Sequence, residues 1–436
     1  MNTISNVSGS VSKSSAKKNW STFIPWIIFG TGILYYCFAY LLRVYPSVME
    51  HHLLSRFHVN VKDFGLITGF YYFAYAPMQL PVGVTVDHFG ARRSLLLGCV
   101  IACTGVLLFA HTHTIDVALF ARFLIGLGAA FAYVTALKIA SLWLPRSMFA
   151  TATGLLTSAG MLAAIATDNY LTHLIHITPF HNVLLFPAYV GFALLICIFL
   201  FVKNKKGVNA DGQRITKSTS YSELYRQLWR IMKMPQMWLI GLVGALLYLP
   251  SSVFVDAWAI PFLKSARHFT STQAAMGASL TLAGWIISSF TAGYLSDRFK
   301  TRKIPLMIAA VGSTIVCSTI IFAPINNHLI VYALLFTLGL FCGPHPLCFS
   351  LSKENCPHEI SGTAVAFANF VIMAGGMILQ PLVGWFLSYL HGASTAGTPT
   401  IYSTWDFSIA LSIIPIGLII AYFVTLFIQE TFGKHN

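Results

Sequence analysis

The sequence predicts an all-α polytopic membrane protein with twelve transmembrane helices in two parallel six-helix repeats. Three observations predict it. Of the 436 residues, 56% are hydrophobic and 9% charged, with a mean hydropathy of +0.72; a soluble domain carries about 25% charged residues. Apolar runs of about 20 residues, long enough to cross a bilayer at 1.5 Å of rise per residue, recur twelve times. A Gly-Asp-Arg signature follows both the second and the eighth run.

The runs place spans near 24–48, 64–86, 94–112, 117–143, 150–172, 183–202, 237–262, 273–295, 305–323, 329–351, 361–389 and 407–428. The longest polar connection, rich in Lys, Arg, Ser and Gln, separates the sixth from the seventh. The chain therefore reads as a tail (1–23), a first six-helix bundle (24–202), a linker (203–235), a second bundle (236–428) and a short tail (429–436).

The net charge of +14 would suggest a nucleic-acid partner in a soluble protein, but its distribution suggests topology. Twenty of the 27 Lys and Arg lie in the termini and alternate loops of one face. The other face has Arg56, Lys62, Lys264 and Arg267, and Arg43, Arg122 and Lys138 fall inside spans. By the positive-inside rule the rich face, with both termini, is cytoplasmic, and the membrane is the inner membrane. No nucleic acid is expected as a partner. The eight cysteines fall in spans or a basic-face loop, so no disulfide framework is implied, and the polar first 20 residues lack the apolar core of a signal peptide.

The first signature is Gly83-Val-Thr-Val-Asp87-His-Phe-Gly90-Ala-Arg92-Arg93. Its second copy is Gly293-Tyr-Leu-Ser-Asp297-Arg298-Phe-Lys300-Thr-Arg302-Lys303, with the two aspartates 210 residues apart. Parallel six-span repeats are an architecture of secondary transporters. The stretch at 83–93 resembles the loop motif of the major facilitator superfamily, and Arg122-Phe-Leu-Ile-Gly126-Leu-Gly128 resembles its fourth-span motif. The second-half copy departs from the pattern with Lys300 where a glycine is usual. The resemblance covers essentially the whole chain and implies the fold and alternating-access transport, while leaving the substrate open. It also implies that Asp87 meets the N-terminal end of span eleven, near Ser361 and Gly362, as a conformational latch. The plainer reading is that Asp87, Arg92 and Arg93 set topology alone. Gly83 is read as a point of close helix approach.

Polar side chains inside spans are costly in lipid and therefore mark function. Tyr36, Tyr40 and Arg43 recur at i, i+4 and i+7 on one helix face, and span two adds Tyr72, Tyr75 and Gln79. Span four holds Arg122, read as a packing or proton-coupling group, and Lys138, too far along the axis to share a ligand with it. Span seven sets Tyr248, Ser252 and Asp256 at i, i+4 and i+8. Trp285 belongs to span eight, and Asn369 and Gln380 to span eleven. Arg43 facing Asp256 across the halves suits a zwitterion; a direct salt bridge gating the outer mouth is the alternative. Gly343-Pro-His345-Pro346 predicts a kink, with His345 either a proton-coupling or a packed neutral group. Eleven histidines fall on the outer side without partners at metal-ligand spacing, so no metal and no cofactor are expected.

His-Glu-x-x-His, Gly-x-Ser-x-Gly and Walker patterns are absent from the sequence, so no enzyme is expected and transport draws on an ion gradient or on the gradient of the substrate itself. The expected activity is proton-coupled uptake of an amino acid, short peptide or organic acid by a monomer. A siderophore carrier and a metabolite or drug exporter are alternatives of the same architecture, and a membrane receptor is the alternative outside transport.

Overall fold

The computed structural model describes residues 11–145, 148–204, 220–325, 327–357, 360–391 and 403–431. Residues 205–219 of the linker and the outer parts of both tails lie outside the described residues. Twelve long helical elements carry the fold: α1 (Val11–Val48), α2 (Val61–Phe89), α3 (Ala91–His111), α4 (Ile115–Trp143), α5 (Phe149–Ile177), α6 (Phe180–Phe201), α7 (Pro235–Arg267), α8 (Ser271–Phe299), α9 (Lys303–Phe322), α10 (His328–Glu354), α11 (Ser361–His391) and α12 (Thr404–Leu426). Ten are long and apolar enough to cross a membrane by length and composition. The other two, α2 and α5, have 29 residues each and are long enough but more polar. Both lie on the seam between the halves, where their polar groups face protein instead of lipid.

The duplication is visible in the packing. The pairs α1–α5, α2–α4, α3–α4 and α3–α6 recur six helices later as α7–α11, α8–α10, α9–α10 and α9–α12. The connections repeat as well. Asn60 and Asp63 form a capping box at the start of α2, and Thr270 and Gln273 form one at the start of α8. Positive φ occurs at His58, Gly90, His268 and Lys300, two pairs each separated by 210 residues. Arg56 donates to the carbonyls of Ala110 and Thr112 at the end of α3, and Arg267 to those of Ile320 and Ile321 at the end of α9. Each arginine satisfies carbonyls that a helix end leaves free and sits at the negative end of its dipole.

Several spans are not continuous helices. α4 breaks at Ala130 and α12 at Ser412. α10 ends its first part at Cys342 and resumes at Leu347, so the Gly343–Pro346 kink is a full interruption. α7 contains a π-helical stretch, Pro250–Trp258. That stretch corrects the stripe expected for Tyr248, Ser252 and Asp256, because the wider π-helical turn holds more residues and places Asp256 at a different angle around the axis from the one a regular α-helix would give it.

Lys300 adopts a left-handed conformation at φ 51° without glycine. Its turn is tied by Ser296 Oγ donating to the Thr301 carbonyl at 2.7 Å and by Thr301 N–H donating to the Ser296 carbonyl at 3.2 Å. Glu430 caps the start of α9 through the amides of Arg302 and Lys303.

Between the halves, in the described part of the linker, Tyr221–Met232 is an amphipathic helix. It bridges the basic face: the Tyr221 hydroxyl lies 3.0 Å from Thr85 Oγ1 of α2, and Thr363 of α11 donates to Gln227 at 2.6 Å.

Candidate functional site

Along the seam the two halves enclose a cavity of about 730 Å³ that runs from mid-membrane to the basic face. Its inner end is built from α1, α2, α4, α7, α8 and α10, by Tyr36, Tyr40, Arg43, Tyr75, Tyr133, Tyr248, Trp285 and His345. Its mouth is formed by Gly83, Asp87, Leu224, Gln227, Gly362 and Thr363. Arg43 and Asp87 are the lining residues that carry a formal charge.

Arg43 is the centre of the inner end. Its guanidinium lies 4.7 Å from the ring centroid of Tyr40, 5.0 Å from Tyr75, 5.6 Å from Tyr72 and 5.8 Å from Tyr71. These contacts compensate part of the cost of a cation held at 5% exposure. Nη1 donates to the Tyr248 hydroxyl at 3.2 Å. The Tyr248 ring stacks on His345 at 4.9 Å and meets Trp285 edge-on at 5.6 Å. Three nitrogens of this cluster, Arg43 Nε, Trp285 Nε1 and His345 Nε2, are buried with no hydrogen-bond partner among the described residues. Buried polar groups are normally paired, so Arg43 Nε and Trp285 Nε1, which can only donate, amount to an unfilled demand for acceptor atoms, and His345 Nε2 joins them in the tautomer that carries its proton there.

Away from the basic face the seam is sealed. Tyr72 donates to Asp256 Oδ2 at 2.5 Å, Gln380 Nε2 donates to the Ser252 carbonyl, and Trp258 Nε1 donates to the Gln380 carbonyl at 3.3 Å. Helices α2 and α11 meet closely there: a Cβ on Gly65 would lie 2.8 Å from the Gln380 carbonyl oxygen, and one on Gly69 2.6 Å from Pro381 Cγ. The structure is a two-bundle molecule open at one face and shut at the other.

The sequence model of the Major Facilitator Superfamily matches residues 27–381 and 251–435. The chain belongs to the Major Facilitator Superfamily. Among its relatives is the probable sulfoacetate transporter SauU of Cupriavidus necator, 23% identical over 65% of this chain and 67% of the relative. The probable galactarate/D-glucarate transporter GudP of Escherichia coli K12 is 22% identical over 89% of this chain and 91% of the relative. In fold the chain is similar to a bacterial homolog of the human lysosomal transporter Spinster, with TM-score 0.73 and 13% identity, over 93% of this chain and 97% of that one.

Against this superfamily fold the expected site residues separate into three groups. Tyr36, Tyr40, Arg43, Tyr75, Gln79, Tyr248, Trp285, His345 and Asn369 line the cavity, and Asn369 donates to Gln79 at 3.0 Å across the halves. Tyr72, Ser252, Asp256 and Gln380 belong to the sealed side and are not among the cavity-lining residues. The π-helical turn is the physical reason for Asp256, since it changes the angle of the residue around the helix axis, and the carboxylate accepts from Tyr72 on the sealed side. A direct Arg43–Asp256 salt bridge is not among the ion pairs of the described residues.

The third group is mechanical. Asp87 pairs with Lys138 at 2.6 Å, so Lys138 serves the mouth of the cavity and not its inner end. Gly83 and Gly293 have nothing within 4 Å of an added Cβ, so the close approach expected at Gly83 is absent in this conformation. Gly90 turns at φ 79° against Asn204, whose Oδ1 accepts from Arg92 N–H, while Arg92 Nη2 donates to the Phe199 carbonyl; Arg93 is exposed. Arg302 joins Asp297 at 2.6 Å and Glu354 at 3.1 Å. Arg122 is wholly buried and donates to the carbonyls of Leu42 and Ile67, tying α1 and α2 to α4.

Residues that sequence reasoning missed include Tyr133, whose ring meets Tyr36 at 5.2 Å, and Leu224 and Gln227 of the linker helix. The Leu224, Gln227 and Ile231 spacing is a helical period in an otherwise polar linker, and it was a usable signal.

Proposed function

We propose that the chain is an organic-anion carrier of the inner membrane that works by alternating access, taking up its substrate as a monomer together with protons. With the basic face cytoplasmic, the cavity is the inward-open state and Arg43 is its anchor. The observation that carries this reading is Arg43 in the cavity lining, joined through Tyr248 to Trp285 and His345, with nitrogens of all three residues unpaired among the described residues. Carboxylate and sulfonate oxygens supply the missing acceptors and the negative charge. That the relatives are named for sulfoacetate and for galactarate and glucarate, all organic acids, supports the same class. A zwitterion needs an anion near Arg43 to receive its amine; Asp256 is occupied by Tyr72 on the sealed side and Asp87 pairs with Lys138 at the mouth, which favours a plain anion. Nothing in the arrangement calls for a catalytic step.

The test is counterflow in proteoliposomes with sulfoacetate and D-glucarate as probe anions and with galactose and alanine as neutral and zwitterionic controls. Wild-type protein is expected to exchange an anion and neither control. Arg43→Ala is expected to abolish exchange while keeping its elution profile and membrane insertion. Exchange of the controls alone, or full activity in Arg43→Ala, overturns the reading.

A further inference from the structure

A second ionisable group lies deep in the bundle and takes no part in the cavity. Asp168, on α5, is 0% exposed, and neither carboxyl oxygen has a hydrogen-bond partner among the described residues. It lies on the seam: the next residue, Asn169, donates to Ser279 Oγ of α8 at 2.7 Å, joining the first half to the second. The seam is closed here and open toward the basic face, so Asp168 is on the sealed side, beyond Arg43.

Among the described residues no cation pairs with Asp168. The charged group acting on Asp168 is Asp256 of α7, itself bonded to Tyr72 and under the influence of Arg43. From α1 comes Ser47, whose hydroxyl donates to the Val44 carbonyl. From α8 comes Ser279, taken by Asn169. The second part of α4 carries Tyr133 and Lys138, one lining the cavity and the other paired with Asp87. On α5 itself His173 and His176 lie further toward the sealed end. An ionised carboxylate shut away from solvent, with the Ser47 hydroxyl as its neighbour and a second acid nearby, is strongly disfavoured; a neutral carboxyl in the same place is tolerated.

We propose that Asp168 is a proton-binding site of the seam: its carboxylate takes one proton from the solution on the far side as the halves close over it, and releases that proton when they part. The O–H bond formed on closure is the one broken on opening, and no other reactant is involved. Closure of the far side is thereby linked to acid pH. This rests on the reading of the chain as an alternating-access carrier but needs no substrate to be tested.

Spin labels on Lys62→Cys and Thr272→Cys, exposed positions at the far-side starts of α2 and α8, report the opening by pulsed electron resonance in liposomes, with the native cysteines replaced. In wild type the ratio of far-closed to far-open molecules is expected to fall by up to about tenfold per pH unit, the slope of one linked proton. Asp168→Asn is expected to remain far-closed at every pH, and Asp168→Glu to keep the slope. A wild-type slope retained in Asp168→Asn, or no slope in wild type, overturns the proposal. If Asp168→Asn fails to fold, the infrared stretch of a protonated carboxyl decides. It must be present in far-closed protein, shift in Asp168→Glu and survive Asp256→Asn; its absence overturns the proposal. Failure of anion counterflow with the slope intact would count against the substrate reading alone.

Discussion

Replacing Gly69 by alanine tests whether the α2–α11 contact is one of two alternating closures. A methyl group on Gly69 would lie 2.6 Å from Cγ and 2.8 Å from Cδ of Pro381. The proline ring cannot rotate away, so α11 has to move. Overpacking a close-packed contact by one methyl costs about 1–3 kcal/mol. That cost falls on the far-closed state, because α2 and α11 belong to different halves and part when the far side opens. The balance is expected to shift toward far-open by about 5- to 150-fold, the equivalent of that energy. Gly83→Ala is the control: nothing lies within 4 Å of the added methyl in this conformation, so it adds no cost to the far-closed state. The Lys62→Cys and Thr272→Cys label pair reads both variants. An unchanged distance distribution in folded Gly69→Ala refutes the idea that this seam closes by backbone contact.

Arg122→Ala removes two charge-assisted hydrogen bonds, to the Leu42 carbonyl at 2.7 Å and the Ile67 carbonyl at 3.0 Å. At about 1.5–3 kcal/mol each, the loss is expected to lower the unfolding temperature in detergent markedly, and a wild-type value would show that Arg122 is not a structural tie. Outside the spans, burial pushes the Glu50 carboxyl up from 4.5 to about 7, with Lys264 opposing the shift. The folded state thus holds this proton more tightly than the unfolded chain does. The stabilisation is full below 4.5 and is lost as pH rises through about 7. Thermal melts across that window are expected to show the loss in wild type and a flatter profile in Glu50→Gln; parallel profiles would remove Glu50 as the cause.

Much of the cavity was legible in one dimension. Tyr36, Tyr40 and Arg43 share a face of α1 because a regular helix repeats every 3.6 residues, and the cost of polar groups in lipid turns that face inward. The reading failed where the helix is irregular or the contact is distant. Asp256 leaves the Tyr248 face because a π-helical turn intervenes, and no local pattern in Pro250–Trp258 announces one. Asp87 was expected to meet the start of α11 and to leave it on opening to the basic face; in this structure, open at that face, it pairs with Lys138 of α4, a partner that no local pattern announces. Asp168 went unnoticed because a lone acid in a Thr-rich and Ala-rich span has no periodic companion.

The sequence by itself determined the class of molecule, the number of spans, the duplication at 210 residues and the place of Arg43 on the polar face of its span. These follow from composition, length and spacing, which are properties of the chain alone. Only the tertiary structure decided which face of the seam is open, which polar residues line the cavity and which lie in the seal. The reason is physical: alternating access gives one sequence two packings of the same helices, so the local pattern is common to both, and the contacts that distinguish them join residues far apart in the chain.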